Sequence, residues 1–255
     1  MNYQNLEKSE NKPKIVVLWA TPRSVSTPFE RTFSQRPDTA IIDEPFLDVY
    51  YFSKWRRSNR FGDCEQRQDY QPTQVLEEIK SKAEAAPLIF MKEMAYQGMP
   101  YIDQGFLASV INTFIVRHPH EVMASWYRVN ESPTNEEFGF DALKQMWQIV
   151  TEQLEQKPIL VEANSFRRDP QKFLSEYCQR IGVKFYPQML SWNEYKWREC
   201  QPDEMESRAK WYKTLDGSSG IVPPTQEKVQ IRPEDAGMVE GAQKVYEELS
   251  DFAII

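Results

Sequence analysis

The chain has 255 residues, 40% hydrophobic and 27% charged, with a formal net charge of −7. This composition builds a full core, which excludes disorder, and the acidic balance disfavours bulk attraction to nucleic acid. No apolar run approaches the roughly 18 residues that would span a bilayer.

The polar residues 1–12 lack the apolar core of a signal peptide and are expected to form a flexible tail before a single domain over 13–255. Cys64, Cys178 and Cys200 show no C-x-x-C spacing, and two histidines are too few for a histidine-based metal site. A reduced, cytoplasmic setting is expected.

Residues 14–31, KIVVLWATPRSVSTPFER, organise the reading. Ile15 to Trp19 form a continuous apolar run, the pattern of a strand buried on both faces of a parallel sheet. A hydroxyl-rich turn without glycine follows, and then a helix with Phe29 and Phe33 on one face. A strand feeding a helix N-terminus offers free N–H groups and a favourable dipole to an anion. Arg23 adds a guanidinium fork suited to phosphate, and Ser24, Ser26 and Thr27 add hydroxyls. The same residues would also write an ordinary turn whose Ser and Thr cap the helix. No G-x-x-x-x-G-K-[ST] occurs, so this is not the loop of a Walker-type NTPase.

Residues 39–45 read as a second strand ending in Asp43 and Glu44, on the edge where open α/β sheets bind ligands. Residues 46–72, rich in Tyr, Phe, Trp and Arg, are expected to give helices and a packed lid, as a substrate wall or as an anchored surface segment. A helix over 74–85 and a strand over 87–91 lead to Lys92 and Glu93. Helical patterns over 101–110, 120–129 and 140–156 frame a strand over 113–116, which runs into Arg117. A strand over 158–163, a helix over 171–180 opened by Asp-Pro, a flexible polar loop over 216–220 and a helix over 233–250 complete the pattern. Strands alternating with helices imply a three-layer α/β fold with a central parallel sheet. Arg117 and Ser125, eight residues apart across a strand end and a helix, can converge on a second phosphate.

Together the two stretches resemble the nucleotide signature of sulfotransferases that use 3′-phosphoadenosine 5′-phosphosulfate (PAPS). Pro22, Arg23, Ser24, Ser26 and Thr27 match that family's P-[KR]-[ST]-x-[ST]-[ST] loop, and Val25 stands where it usually has Gly. Arg117 and Ser125 match its later Arg and Ser. ILVEANSFRRDPQKFLSEYCQRIGV looks like its strand, Glu and Asp-Pro helix, and KWYKTLDGSSGI resembles its late loop. A fainter likeness is to cyanobacterial enzymes that sulfate guanidinium toxins of the saxitoxin kind.

The resemblance implies a P-loop-like fold, PAPS as donor with adenosine 3′,5′-bisphosphate (PAP) as product, and no metal. It implies a small-molecule acceptor, expected to be a secondary metabolite, with no membrane or nucleic-acid partner. It assigns Arg23, Ser24, Val25, Ser26 and Thr27 to the 5′-phosphosulfate. Arg117 and Ser125, completed by Ser218, Ser219 and Gly220, go to the 3′-phosphate. The base His of cytosolic aryl and steroid members is replaced by Met94. Glu44, twenty-one residues past Arg23, matches the offset of the Glu used by the branch acting on protein tyrosine. Glu44 is thus the candidate base and Asp43 the fallback, with Lys92 a candidate to touch the sulfuryl oxygens. Pro45 is expected to hold Glu44 in extended geometry. Two other readings stay open: a P-loop kinase or nucleotide hydrolase, and a non-catalytic member that binds nucleotide.

Overall fold

The structure, a computed structural model, describes residues 13–62, 66–193, 211–212, 215–225 and 229–254. Six parallel strands form one sheet in the order β2-β3-β1-β4-β5-β6. They are β1 (Lys14–Ala20), β2 (Thr39–Asp43), β3 (Leu88–Met94), β4 (Ile111–Val116), β5 (Ile159–Glu162) and β6 (Ala253–Ile254). β1 lies inside the sheet between β3 and β4, and its residues 16–20 are fully buried, as its apolar run requires. The chain winds from β1 out to β2, back to β3, then across β1 to β4. The winding direction therefore reverses beside β1. Ligands of open parallel sheets sit beyond the strand carboxyl ends at such a reversal.

The first six helices among the described residues are α1 (Ser26–Ser34), α2 (Leu47–Phe52), α3 (Pro72–Ala85), α4 (Ala95–Gly98), α5 (Gln104–Ser109) and α6 (Pro119–Arg128). α1 is fastened by the two phenylalanines of its inner face. Phe33 stacks on Phe90 of β3 at 4.0 Å, and Phe29 meets Phe166 and Tyr177 edge-on at 4.9 and 5.0 Å. Each such ring buried is worth about 1.5–3 kcal/mol, which fixes the height of the turn before α1.

Several elements depart from the sequence pattern for visible reasons. β3 runs on to Met94, so Lys92 and Glu93 lie inside a buried strand and not beyond it. The helix expected over 140–156 is α-helical over Phe140–Gln148 and then widens to a π-turn, Ile149–Gln153, in which Leu154 N–H donates to Ile149 O at 3.0 Å. In residues 101–110 only α5 is helical, because Asp103 caps it by accepting from Phe106 N–H. Of residues 46–72, the described ones give α2 and then, over 53–62 and 66–71, mostly irregular chain, with Phe61 stacked on Phe52 at 5.2 Å. The 216–220 loop is tied down: Trp192 Nε1 donates to Ser218 O at 2.8 Å, and Arg31 Nη1 donates to Leu215 O at 2.9 Å. β6 is two residues long and leaves no strand signal in the sequence. Residues 1–12, Cys64 and Cys200 lie outside the described residues, and Cys178 is a buried free thiol. Among the described residues, no helix is long and apolar enough to cross a membrane.

Candidate active site

The turn after β1 is bent by two residues in the left-handed region, Arg23 at φ 61° and Val25 at φ 72°. Glycine enters that region freely, whereas a β-branched residue there costs about 1–3 kcal/mol. Val25 thus keeps the backbone shape open to glycine at this position, held by the packing of α1 beneath it. Val25 is the N-cap residue of α1, and no side chain caps the helix. The Ser24 hydroxyl is buried and donates back to Thr21 O at 2.7 Å. An ordinary capped turn is therefore not what forms. Val25, Ser26 and Thr27 line a cavity of about 610 Å³, and the uncapped end of α1 meets it.

Arginines crowd the same end of that cavity. Arg23 Nε donates to Ser125 Oγ at 2.8 Å and Nη1 to Trp211 O at 3.0 Å, with the Trp211 ring 5.3 Å away. Arg117, at the end of β4, donates from Nη1 to Arg23 O at 3.1 Å and from Nε to Glu121 Oε2 at 2.8 Å. Two stretches separated by nearly a hundred residues thus build one cationic cluster. Burial and the like charges of Arg128 and Arg117 pull the Arg23 guanidinium down to about 10, against an opposing pull from Tyr212. It stays charged at neutral pH. Arg167 is lowered too, by burial and by Arg117 and Arg128. An anion in the cavity would relieve this mutual repulsion.

Carboxylates hold the β2–β3 side. Sheet register sets Asp43 beside Lys92. Lys92 is fully buried, and its Nζ lies 2.6 Å from Asp43 Oδ1, 2.5 Å from Glu44 Oε1 and 3.4 Å from Thr27 Oγ1. Burial alone would lower its pKa, but the charges of Glu44 and Glu30 outweigh that and raise it, so Lys92 is an ammonium. Glu44 lines the cavity; Asp43 and Lys92 stand behind it.

Glu44 is not extended, as Pro45 led us to expect, but left-handed at φ 44°. The reason is a tight turn pinned at several points. Glu44 N–H donates to Lys92 O at 2.7 Å, and Leu47 N–H donates to Glu44 O at 3.1 Å. Glu93, buried in β3, accepts from Phe46 N–H through Oε2 and from Met94 N–H through Oε1, both at 2.8 Å. Burial and the Glu44 charge push the Glu93 carboxyl up to about 8, while those two N–H groups oppose the rise.

Of the residues singled out in sequence, Arg23, Val25, Ser26, Thr27, Glu44, Arg117, Ser125, Ser218 and Gly220 meet on this one cavity. Ser24 and Lys92 are buried outside it, and Ser219 is exposed beyond it. Tyr96, Gln97, Trp126, Arg128 and Arg167 also line it and were not singled out as site residues in the sequence. Their only signal was position, just past β3, on α6 or after β5.

The sequence model of the sulfotransferase domain family matches residues 14–250. Two relatives from Arabidopsis thaliana, the branched-chain-amino-acid aminotransferase-like proteins 1 and 2, are 23% and 22% identical over 217 and 211 residues. Those stretches cover 84% and 83% of this chain but 37% of each relative, so the chain spans a little over a third of their length. Among solved structures, the sulfotransferase domain from the curacin biosynthetic pathway shares the fold. It has a TM-score of 0.51 and 15% identity, over 93% of this chain and 98% of that one. The sulfotransferase domain of the Synechococcus PCC 7002 olefin synthase gives a TM-score of 0.45 and 15% identity, over 90% and 94% of the two chains. With the match running from the first strand through the last long helix, the chain belongs to the sulfotransferase domain family.

Proposed function

We propose that the chain transfers a sulfuryl group from PAPS to a hydroxyl or nitrogen of a small-molecule acceptor, with Glu44 as general base. One observation carries this reading: Arg23, Arg117 and Ser125 converge beside an uncapped helix N-terminus, with Glu44 on the same cavity. Crowded guanidiniums and open N–H groups fit a nucleotide with two neighbouring phosphates. The α1 end suits the 5′-phosphosulfate, and Arg117 with Ser125 suits the 3′-phosphate. Ser125 accepts from Arg23 and keeps its own proton for that phosphate. Bound there, PAPS would supply an activated sulfuryl group.

The chain's own residues do the rest. Arg23 stabilises the charge that develops on the leaving phosphate. Glu44 takes the acceptor's proton as its oxygen or nitrogen bonds to sulfur. Lys92 acts through Glu44, fixing the direction of that carboxylate from behind.

Calorimetry with PAP and with adenosine 5′-phosphosulfate tests the nucleotide assignment. In Arg117→Ala, PAP is expected to bind roughly 10–100-fold more weakly, the loss of one charge-assisted contact. Adenosine 5′-phosphosulfate, which lacks the 3′-phosphate, should lose much less. Equal losses would make Arg117 a prop for the Arg23 carbonyl alone, and wild-type protein that ignores PAP would remove the reading.

A further inference from the structure

Arg117 and Ser125 leave the charge of a 3′-phosphate incompletely met. A phosphate monoester carries about −1.5 to −2 at neutral pH. Arg117 is already paired: its Nε donates to Glu121 Oε2 at 2.8 Å, and its Nη1 donates to Arg23 O at 3.1 Å. Ser125 brings a hydroxyl and no charge. A dianion taken out of water there needs a second cation that no carboxylate has already neutralised.

Arg167 is such a cation. It lies on the short helix Ala163–Arg168 that follows β5, is half-buried and lines the cavity. Its Nε donates to Val222 O at 2.8 Å, its Nη2 to Pro223 O at 2.7 Å and its Nη1 to Asn164 Oδ1 at 3.4 Å. All of these acceptors are neutral, and a guanidinium has N–H groups to spare beyond them. Val222 lines the cavity too, so the guanidinium itself, and not only its stem, stands at the wall. An arc of side chains sets its place there. Asn164 Nδ2 donates to Glu121 Oε1 at 2.9 Å, and Glu121 holds Arg117 through its other oxygen. Arg167 thus joins the cluster from the Nε side of Arg117, whereas Arg23 joins it at Nη1. Burial and the Arg117 charge lower the Arg167 guanidinium, against the pull of Glu121. An anion held by both arginines relieves that repulsion.

We propose that Arg167 is the second cation of the 3′-phosphate site, gripping that phosphate together with Arg117 and so selecting PAPS over nucleotides with a bare 3′-hydroxyl. Glu121 and Asn164 are positioning residues that set the two guanidiniums relative to each other. The guanidinium that reads the phosphate also fastens residues 222–223, so the chain running on from Gly220 is tied to the same point of the wall. The assignment rests on the nucleotide reading above, because it is the phosphate of Arg117 and Ser125 that Arg167 completes.

PAP and adenosine 5′-monophosphate (AMP) share adenine, ribose and 5′-phosphate, and only PAP has the 3′-phosphate. Dissociation constants for both are measured by calorimetry on the whole protein. Wild type is expected to bind PAP about 100-fold tighter or more. Arg167→Gln removes the charge and keeps an amide donor for the Val222 carbonyl. It should weaken PAP about 10–100-fold and leave AMP within about twofold. A residue that only fastened 222–223 would cost both ligands alike. Arg167→Lys keeps the charge without the fork and should weaken PAP less than Arg167→Gln does. If Arg167→Gln does not fold, Arg167→Lys stands in for it, with a loss of about threefold expected for PAP and none for AMP. Equal losses for the two ligands, or no loss, in Arg167→Gln or its stand-in overturn the proposal; if Arg117→Ala still costs PAP selectively, the nucleotide reading survives. Wild type that binds PAP no tighter than AMP overturns both.

Discussion

Lys92→Met is expected to lower the melting temperature by about 10 °C. Lys92 Nζ is the shared partner of Asp43 and Glu44, at 2.6 and 2.5 Å, and its side chain is fully buried. Both carboxylates are themselves 10% exposed. Removing one member of a buried ion cluster leaves the others uncompensated, at a cost of about 3–5 kcal/mol. In a chain of this size, each kcal/mol moves the midpoint by about 2–4 °C. Methionine keeps most of the stem's packing, so the loss reports charge and not volume. Asp43→Asn added to Lys92→Met should recover part of the loss, because one stranded charge is gone. A thermal scan of Lys92→Met that moves by less than about 2 °C would mean the cluster contributes no net stability.

Glu44→Gln is expected to lower kcat by about 10²–10⁴ while PAP affinity stays within a few-fold of wild type. Glu44 lines the cavity opposite no other unused carboxylate of β2, since Asp43 is turned behind it against Lys92. Gln preserves size and still offers an oxygen to Lys92, but cannot take the acceptor's proton. The proton moves only on the way to the transition state, so the effect belongs in kcat. It should shrink for an acceptor already ionised at the assay pH. Its left-handed backbone, at φ 44°, is the kind of local strain that persists where surrounding contacts over-determine it. Here those contacts are the bonds to Lys92 O and from Phe46 N–H to Glu93. Wild-type turnover in Glu44→Gln would take the base role from Glu44, and wild-type turnover in Asp43→Asn as well would take it from this strand end altogether.

The parts of the site legible in the sequence are those coded within one βα unit. The apolar run of β1, the turn at Arg23 and the Phe29–Phe33 face of α1 lie within twenty residues, and local pattern sufficed for them. Arg117 and Ser125 were legible as a spaced pair, but their contact with Arg23 depends on β1 and β4 being neighbours, which only the strand order supplies. The Asp43–Lys92–Glu44 cluster was hidden for the same reason: it exists through the register of β2 on β3. β3 was cut short because Lys92 and Glu93 look like the polar end of a strand when their partners are out of view. Gln97, which lines the cavity, left no signal, since one amide after a strand is commonplace. Glu44 was placed correctly at the strand end and given the wrong backbone. The proline after it biases toward extended geometry, and three hydrogen bonds overrode that bias: Glu44 N–H to Lys92 O, Leu47 N–H to Glu44 O and Phe46 N–H to the Glu93 carboxylate.

The central claim is transfer itself, and movement of labelled sulfur from PAPS tests it most directly. Protein is incubated with sulfur-35-labelled PAPS and a small-molecule metabolite extract in EDTA, and the labelled product is identified by mass. The account predicts label in an organic product, falling to background in Arg23→Ala, because Arg23 carries the leaving-group charge without help from a metal. Label that never leaves PAPS, in a protein that binds PAP with Arg117 dependence, would contradict it and leave a nucleotide-binding member of the family without transfer.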